Sequence, residues 1–206
     1  KFERWCADIL LSMVLYSHFR SEHLLVHHRY VGTPKDPVTA RYNEGFWRFL
    51  PRAWIGSFRA GYAAEQAMSA RAQGKRVNPY FWYVTGEFAC IVVVLIVFGW
   101  LGLLAYLLMA AHAQSQLLVS DYVQHYGLRR RPQPGGRFEP VGPQHSWNAR
   151  GWYSSAMMLN APRHSDHHAH PSRPYPQLIL PPEAPLLPAP LPAMALIALV
   201  PPLWRR

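Results

Sequence analysis

Two clusters of histidine carry the chemistry that can be read from this chain. One is His23, His27 and His28 within Glu22–His28, and the other is His164, His167 and His168 within Arg163–His170. Neutral imidazole suits zinc, iron, copper and nickel, and no acidic cluster offers a cage for a harder cation. Crowded imidazoles repel one another as cations, so such clusters need either solvent or a metal. Six candidate ligands exceed the four that one tetrahedral ion takes, which points to two ions. Glu22 and Asp166 sit inside the clusters and are expected to accept the second ring N–H of ligating histidines, fixing their tautomer. His125 is open between a ligand and a helix-end histidine. His112 faces the same choice, with the ordinary reading favoured. His18, His145 and His170 are assigned supporting or structural places.

The elements that position these residues follow from periodicity and breakers. Residues 1–28 read as one uninterrupted helix with an apolar wall from Trp5 to Leu15 and the first cluster at its far end. Val31–Pro37 must be extended or turned, because Pro34 and Pro37 forbid a helix. Phe46–Phe58 mixes aromatic and basic residues, as a helix at a lipid interface does, and 60–77 reads as a polar helix ending near Gly74. Phe88–Val119 has no Asp, Glu, Lys or Arg. One helix of that length would reach about 48 Å, longer than the ~30 Å hydrocarbon core. Two spans are therefore expected, about 80–98 and 103–126, turned at Gly99–Gly102, with Asn78-Pro79 opening the first. A helix-like stretch is expected from Ser146. The proline-rich tail, with the short apolar run Met194–Val200, is expected to press against membrane or protein.

Composition agrees with a membrane setting. Of 206 residues 50% are hydrophobic and 16% charged, below the ~25% charged of ordinary soluble domains. The net charge of +10 fits basic loops on the cytosolic side of a bilayer, with Arg129–Arg131 marking that face. Nucleic-acid binding is the disfavoured alternative. Cys6 and Cys90 form no CxxC pair and read as buried thiols. No signal peptide is visible. The expected fold is all-α: a single integral membrane helical bundle over 1–206 with a cytosolic histidine-rich metal site.

At these residues the chain resembles the membrane-bound alkane monooxygenases, within the wider fatty-acid desaturase and hydroxylase group. The matching stretches are His18-Phe19-Arg20-Ser21-Glu22-His23 with His27-His28, then Gly32–Pro37, Phe49-Leu50-Pro51-Arg52, Tyr122–Leu128, His145-Ser146-Trp147-Asn148 and Arg163–His168. The resemblance implies a non-haem diiron centre held by His23, His27, His28, His125, His164, His167 and His168. Glu22, Asp166, His18, Gln124 and His145 are expected to support it. It implies O2 as co-substrate, a terminal alkane carbon as target, and electrons from rubredoxin and rubredoxin reductase. The implied place is a bacterial inner membrane, crossed several times. The rivals are an acyl-chain desaturase or hydroxylase, an alkyl-aromatic monooxygenase, a non-catalytic membrane metal-binding protein, or an inactive fragment. Three departures stand out. A first histidine box is expected just before Lys1, so the chain reads as a fragment. Gln124 stands where the family usually has Glu. Ala161-Pro162-Arg163 replaces the usual Leu-Gln-Arg.

Overall fold

The computed structural model describes residues 2–73 and 76–204. It is mostly helical and divides into two compact units. The first comprises the chain through Val26 together with Ile55–Leu117, and the second comprises His27–Trp54 with the chain from Leu118 onward.

The first unit opens with α1, Phe2–Met13. The expected single helix over 1–28 is corrected: the chain breaks over 14–17, with Leu15 at φ 53. Neither Gly nor Pro marks the break. Its cause is long-range: Gln114 Nε2 donates to the carbonyls of Val14 and Leu15 at 2.8 and 3.0 Å. The Glu87 carboxylate accepts from the Ser17 amide at 2.8 Å. These side chains satisfy backbone groups that a continuing helix would pair internally. The chain then resumes as α2, Phe19–Glu22, and passes into a π-helical segment, His23–His27.

The long apolar element is α5, Tyr80–His125. Asn78 caps it, accepting from the Tyr80 amide at 3.0 Å, with Pro79 at the first position, where a missing N–H costs nothing. At Gly99 the backbone leaves helical geometry (φ 65, ψ −167), a region that glycine enters without steric penalty. The break lies inside the predicted turn. It reverses the chain: Glu87 and Gln114 both bond to residues 14–17, although a straight helix would hold them about 40 Å apart. The element is thus a helical hairpin. Only 6% of its most apolar window is buried, and Ile96, Phe98, Trp100 and Leu101 are each at least two-thirds exposed. A soluble core helix would have that face covered. This element is long and apolar enough to cross a membrane.

Helix α4, Phe46–Arg71, is continuous through Pro51, so the expected separate helices 46–58 and 60–77 are one element. The expected end near Gly74 lies outside the described residues. Ser21, Tyr83 and Glu65 form a buried hydrogen-bond chain in the first unit, which Arg76 closes by donating to Glu65 at 2.6 Å.

In the second unit the π segment continues into α3, His28–Tyr30. Phe46, Phe49, Tyr122, Leu118, Leu178 and Leu191 form its apolar core. Arg52 binds both carboxylate oxygens of Glu44 at 2.7 Å and the Pro37 carbonyl at 2.7 Å, fastening the loop after α3. A two-residue β-ribbon, β1 Pro132–Gln133 and β2 Arg137–Phe138, turns over Gly135-Gly136. The expected helix from Ser146 is also corrected. Asn148 bridges to Leu186 in strand-like fashion, and helix α6 spans only Trp152–Met157. Helix α7 is His164–Ala169. The tail forms α8, Leu191–Ala198, and α9, Pro201–Trp204. Leu191, Met194 and Ala198 are buried, and the Leu199 carbonyl accepts from Trp47 Nε1 at 2.9 Å, so the tail packs on protein.

Candidate metal centre

Three segments of the second unit bring imidazoles together: the start of α3, the end of α5 and the short α7. In α7 the residues His164, His167 and His168 are spaced i, i+3 and i+4, which puts them on one helical face. His125 is the last residue of α5. His27, His125, His164 and His168 are all buried, and their donor nitrogens lie within 4.8 Å of one another. His164 Nε2 is 3.0 Å from His125 Nε2 and 3.1 Å from His168 Nε2. The rings of His27 lie 4.8 Å from His125 and 4.7 Å from His168. Beside this quartet, His28 and His167 face each other at 4.7 Å between ring centroids.

The donor set fits a metal ion. Burial holds His168 well below the ordinary histidine range, with neighbouring imidazoles adding to the effect. His167 is pushed down to about 4 and His28 to about 3, in both cases chiefly by burial and then by other imidazoles. These rings are therefore neutral, each with one N–H and one lone pair. The Nε2 atoms of His125 and His168 both converge on that of His164, and His168 Nδ1 is buried with no hydrogen-bond partner among the described residues. A cation accepting several lone pairs suits such a cluster of neutral imidazoles. Nitrogens bound to one ion at ~2.0–2.1 Å stand roughly 3.0–3.4 Å apart, the range in which the contacts at His164 fall.

His27 is oriented by Asp36, whose carboxylate accepts from Nδ1 at 2.9 Å with both side chains fully buried. Thr39 Oγ1 and the Val38 amide hold the same carboxylate at 2.6 and 3.1 Å. The proton on Nδ1 leaves Nε2 as the lone-pair nitrogen, the arrangement that raises a ligand's basicity. Sequence reasoning missed Asp36 in this role. Its signal was an acid between Pro34 and Pro37, nine residues after a histidine, which reads equally well as a turn.

The side chains of Asp166, His145 and Gln124, expected to support the site, are hydrogen-bonded within the scaffold. Asp166 is corrected: its carboxylate accepts from His170 Nδ1 at 2.8 Å, from Arg173 at 2.6 and 2.7 Å, and from the Ile179 amide at 2.9 Å. Among the described residues its hydrogen bonds go to the scaffold, because position 166 lies on the opposite side of α7 from His164 and His168. The His145 ring accepts from the Gly142 amide at Nδ1 and meets Glu139 through Nε2, both at 2.9 Å, while its backbone bears on the His125 ring. Gln124 accepts from Ser120 Oγ at 2.9 Å and donates to the Ala161 carbonyl at 3.1 Å. Two of the departures from the family pattern, at 124 and at 161–162, thus touch. His18, Glu22 and His23 belong to the first unit. There His18 Nε2 meets Ser57 Oγ at 3.2 Å, Glu22 is buried, and the His23 ring stacks on Phe19 at 4.7 Å.

A helical chain with a membrane-length apolar element and a buried, imidazole-only donor set is a histidine-box protein of the membrane type. Residues 1–180 match the fatty acid desaturase family, and the chain belongs to it. It is similar to alkane 1-monooxygenase 2 of Alcanivorax borkumensis, at 37% identity over 100% of this chain and 55% of that protein. Alkane 1-monooxygenase 1 of Pseudomonas aeruginosa is 37% identical over 98% of the chain and 54% of the relative. The alkane 1-monooxygenase of Ectopseudomonas oleovorans is 38% identical over 99% and 52%. The chain spans about half the length of these curated relatives.

Proposed function

We propose that the chain forms part of a membrane alkane 1-monooxygenase that hydroxylates the terminal carbon of n-alkanes with a histidine-held diiron centre. The observation that carries this reading is the buried quartet His27, His125, His164 and His168, with donor nitrogens within 4.8 Å, in a chain whose relatives are named for that reaction. These four would hold one iron. His28 and His167 would contribute to the second, and the family resemblance implies His23 as a further ligand. When bound, the iron pair supplies the reduction of O2 and the hydroxylation, RCH3 + O2 + 2 e⁻ + 2 H⁺ → RCH2OH + H2O.

The residues of this chain do the rest. Asp36 keeps His27 in the ligating tautomer, and burial keeps His28, His167 and His168 neutral. Burial of His27, His125, His164 and His168 keeps bulk water from their donor nitrogens. The two arms of the α5 hairpin, about 80–98 and 103–126, would cross a bacterial inner membrane. The run Arg129–Arg131 just beyond them supports a cytosolic side for the metal centre. Basic loops there suit rubredoxin, an acidic electron donor fed by rubredoxin reductase.

The test is to express the complete protein with rubredoxin and its reductase, supply an n-alkane, and measure the 1-alcohol together with iron per chain. Alcohol and about two irons are expected. No alcohol, or zinc in place of iron, contradicts the reading. An unsaturated acyl product or an oxidised alkyl-aromatic in place of the alcohol would identify the competing substrate classes.

A further inference from the structure

Helix α7 carries three site imidazoles on six residues, and no side chain of its own caps its start. So short a helix has little stability of its own. Its orientation has to come from what it is tied to.

The main tie is Asn148, a fully buried residue. Its Oδ1 accepts from the Ser165 amide at 3.1 Å and from Ser165 Oγ at 3.0 Å. Its Nδ2 donates to the carbonyls of Ser146 at 2.9 Å and Pro185 at 3.3 Å. Its backbone amide donates to the Pro185 carbonyl at 2.9 Å, and its carbonyl accepts from the Leu187 amide at 2.7 Å. One side chain therefore joins the first turn of α7 to a proline-rich strap. Residues 185–187 lie beyond the family match, which ends at 180.

We infer that Asn148 is a positioning residue for the metal centre, fixing the rotation of α7, and hence the convergence of His164 and His168, by tying Ser165 to the strap at Pro185–Leu187. The inference rests on the metal-binding reading above. An amide suits the position for a physical reason. The site needs an acceptor for Ser165 and a donor for two backbone carbonyls at once, and only Asn or Gln offers both. A carboxylate would keep the bonds to Ser165 and lose the Nδ2 donations to Ser146 and Pro185.

The test is Co²⁺ titration of the metal-free, full-length protein in detergent, followed by the visible absorption of the bound ion. Thermal unfolding of the metal-free form is recorded in parallel. Wild-type protein is expected to give saturable binding with a defined set of bands. Asn148→Ala is expected to bind about 10–100-fold more weakly, the usual cost of losing a residue that orients ligands, with its bands displaced. Asn148→Asp, which loses the Nδ2 donations, and Leu187→Pro, which loses the amide bond to the Asn148 carbonyl, each weaken the strap and leave the Ser165 bonds possible; both are expected to show a smaller loss with bands displaced in the same sense. If Asn148→Ala does not fold, these two variants carry the test. Wild-type affinity and bands in the folded variants would overturn the positioning role while leaving the metal site standing. Wild-type protein that binds no cobalt would overturn both.

Discussion

Asp36 and Asp166, both buried in the second unit near site histidines, do opposite work. Asp36 follows α3 and puts its carboxylate on His27. Asp166 sits within α7, between His164 and His167, and spends its carboxylate on His170, Arg173 and the Ile179 amide. Proximity in sequence to the histidines favoured Asp166, and direction in space chose Asp36. Residues at i+2 on a helix point away from those at i and i+4, so an acid inside an i, i+4 histidine pair faces the scaffold. A loop that returns over the site can bring an acid to the back of an imidazole from nine positions away.

The largest effect that bears on this comparison is expected at the imidazoles. Replacing His164 and His168 together by alanine removes two of four buried donors, and metal binding and hydroxylation should be lost. Retention of full iron content would refute their assignment. Next comes Asp36→Asn. The amide cannot take the Nδ1 proton as a carboxylate does, so metal affinity or turnover should fall about 10–100-fold with the fold intact. Asp166→Asn should do the reverse: iron loading changes little, while the metal-free chain loses about 1–3 kcal/mol, the scale for charge-assisted hydrogen bonds. Thermal and denaturant unfolding measure that loss. If Asp36→Asn affects only stability, or Asp166→Asn chiefly metal, the contrast between them is wrong.

Acidity sharpens the same point. Burial lowers His28 to about 3 and His167 to about 4, whereas an unfolded histidine titrates near 6.5. Between these values the unfolded chain binds more protons than the folded one, so stability falls as pH drops through that window. Metal-free protein should lose stability progressively from about pH 6.5 to about pH 4, and metal should be released over the same range, since the ligand form is neutral. A flat profile down to pH 4 would mean the rings are not desolvated. The smallest effect is expected in the first unit. Gly99→Ala should cost about 1–2 kcal/mol through its positive φ, lowering the unfolding temperature without changing iron content.

How much was legible follows from the range over which each feature is determined. The imidazoles of α7 could be found because their spacing is a local helical property. The turn at Gly99 could be found because charge-free chain longer than a bilayer must reverse. The break after α1 could not, since Gln114, about a hundred residues away, satisfies the carbonyls there. In sequence Asn148 is only the last residue of His145-Ser146-Trp147-Asn148, and its partners at 165 and 185–187 become neighbours only once the chain has folded. His125 gave no spacing signal, and its buried nitrogen 3.0 Å from His164 shows why a single histidine at a helix end can belong to a cluster.

On the proposed function the clustered imidazoles hold iron for oxygen chemistry. The most direct measurement is Mössbauer spectroscopy of ⁵⁷Fe-enriched complete protein, with iron counted per chain, beside the His164→Ala/His168→Ala variant. About two non-haem irons in the wild type, lost in the variant, is the expected result. Zinc in the wild type, or iron that the variant retains, would contradict it.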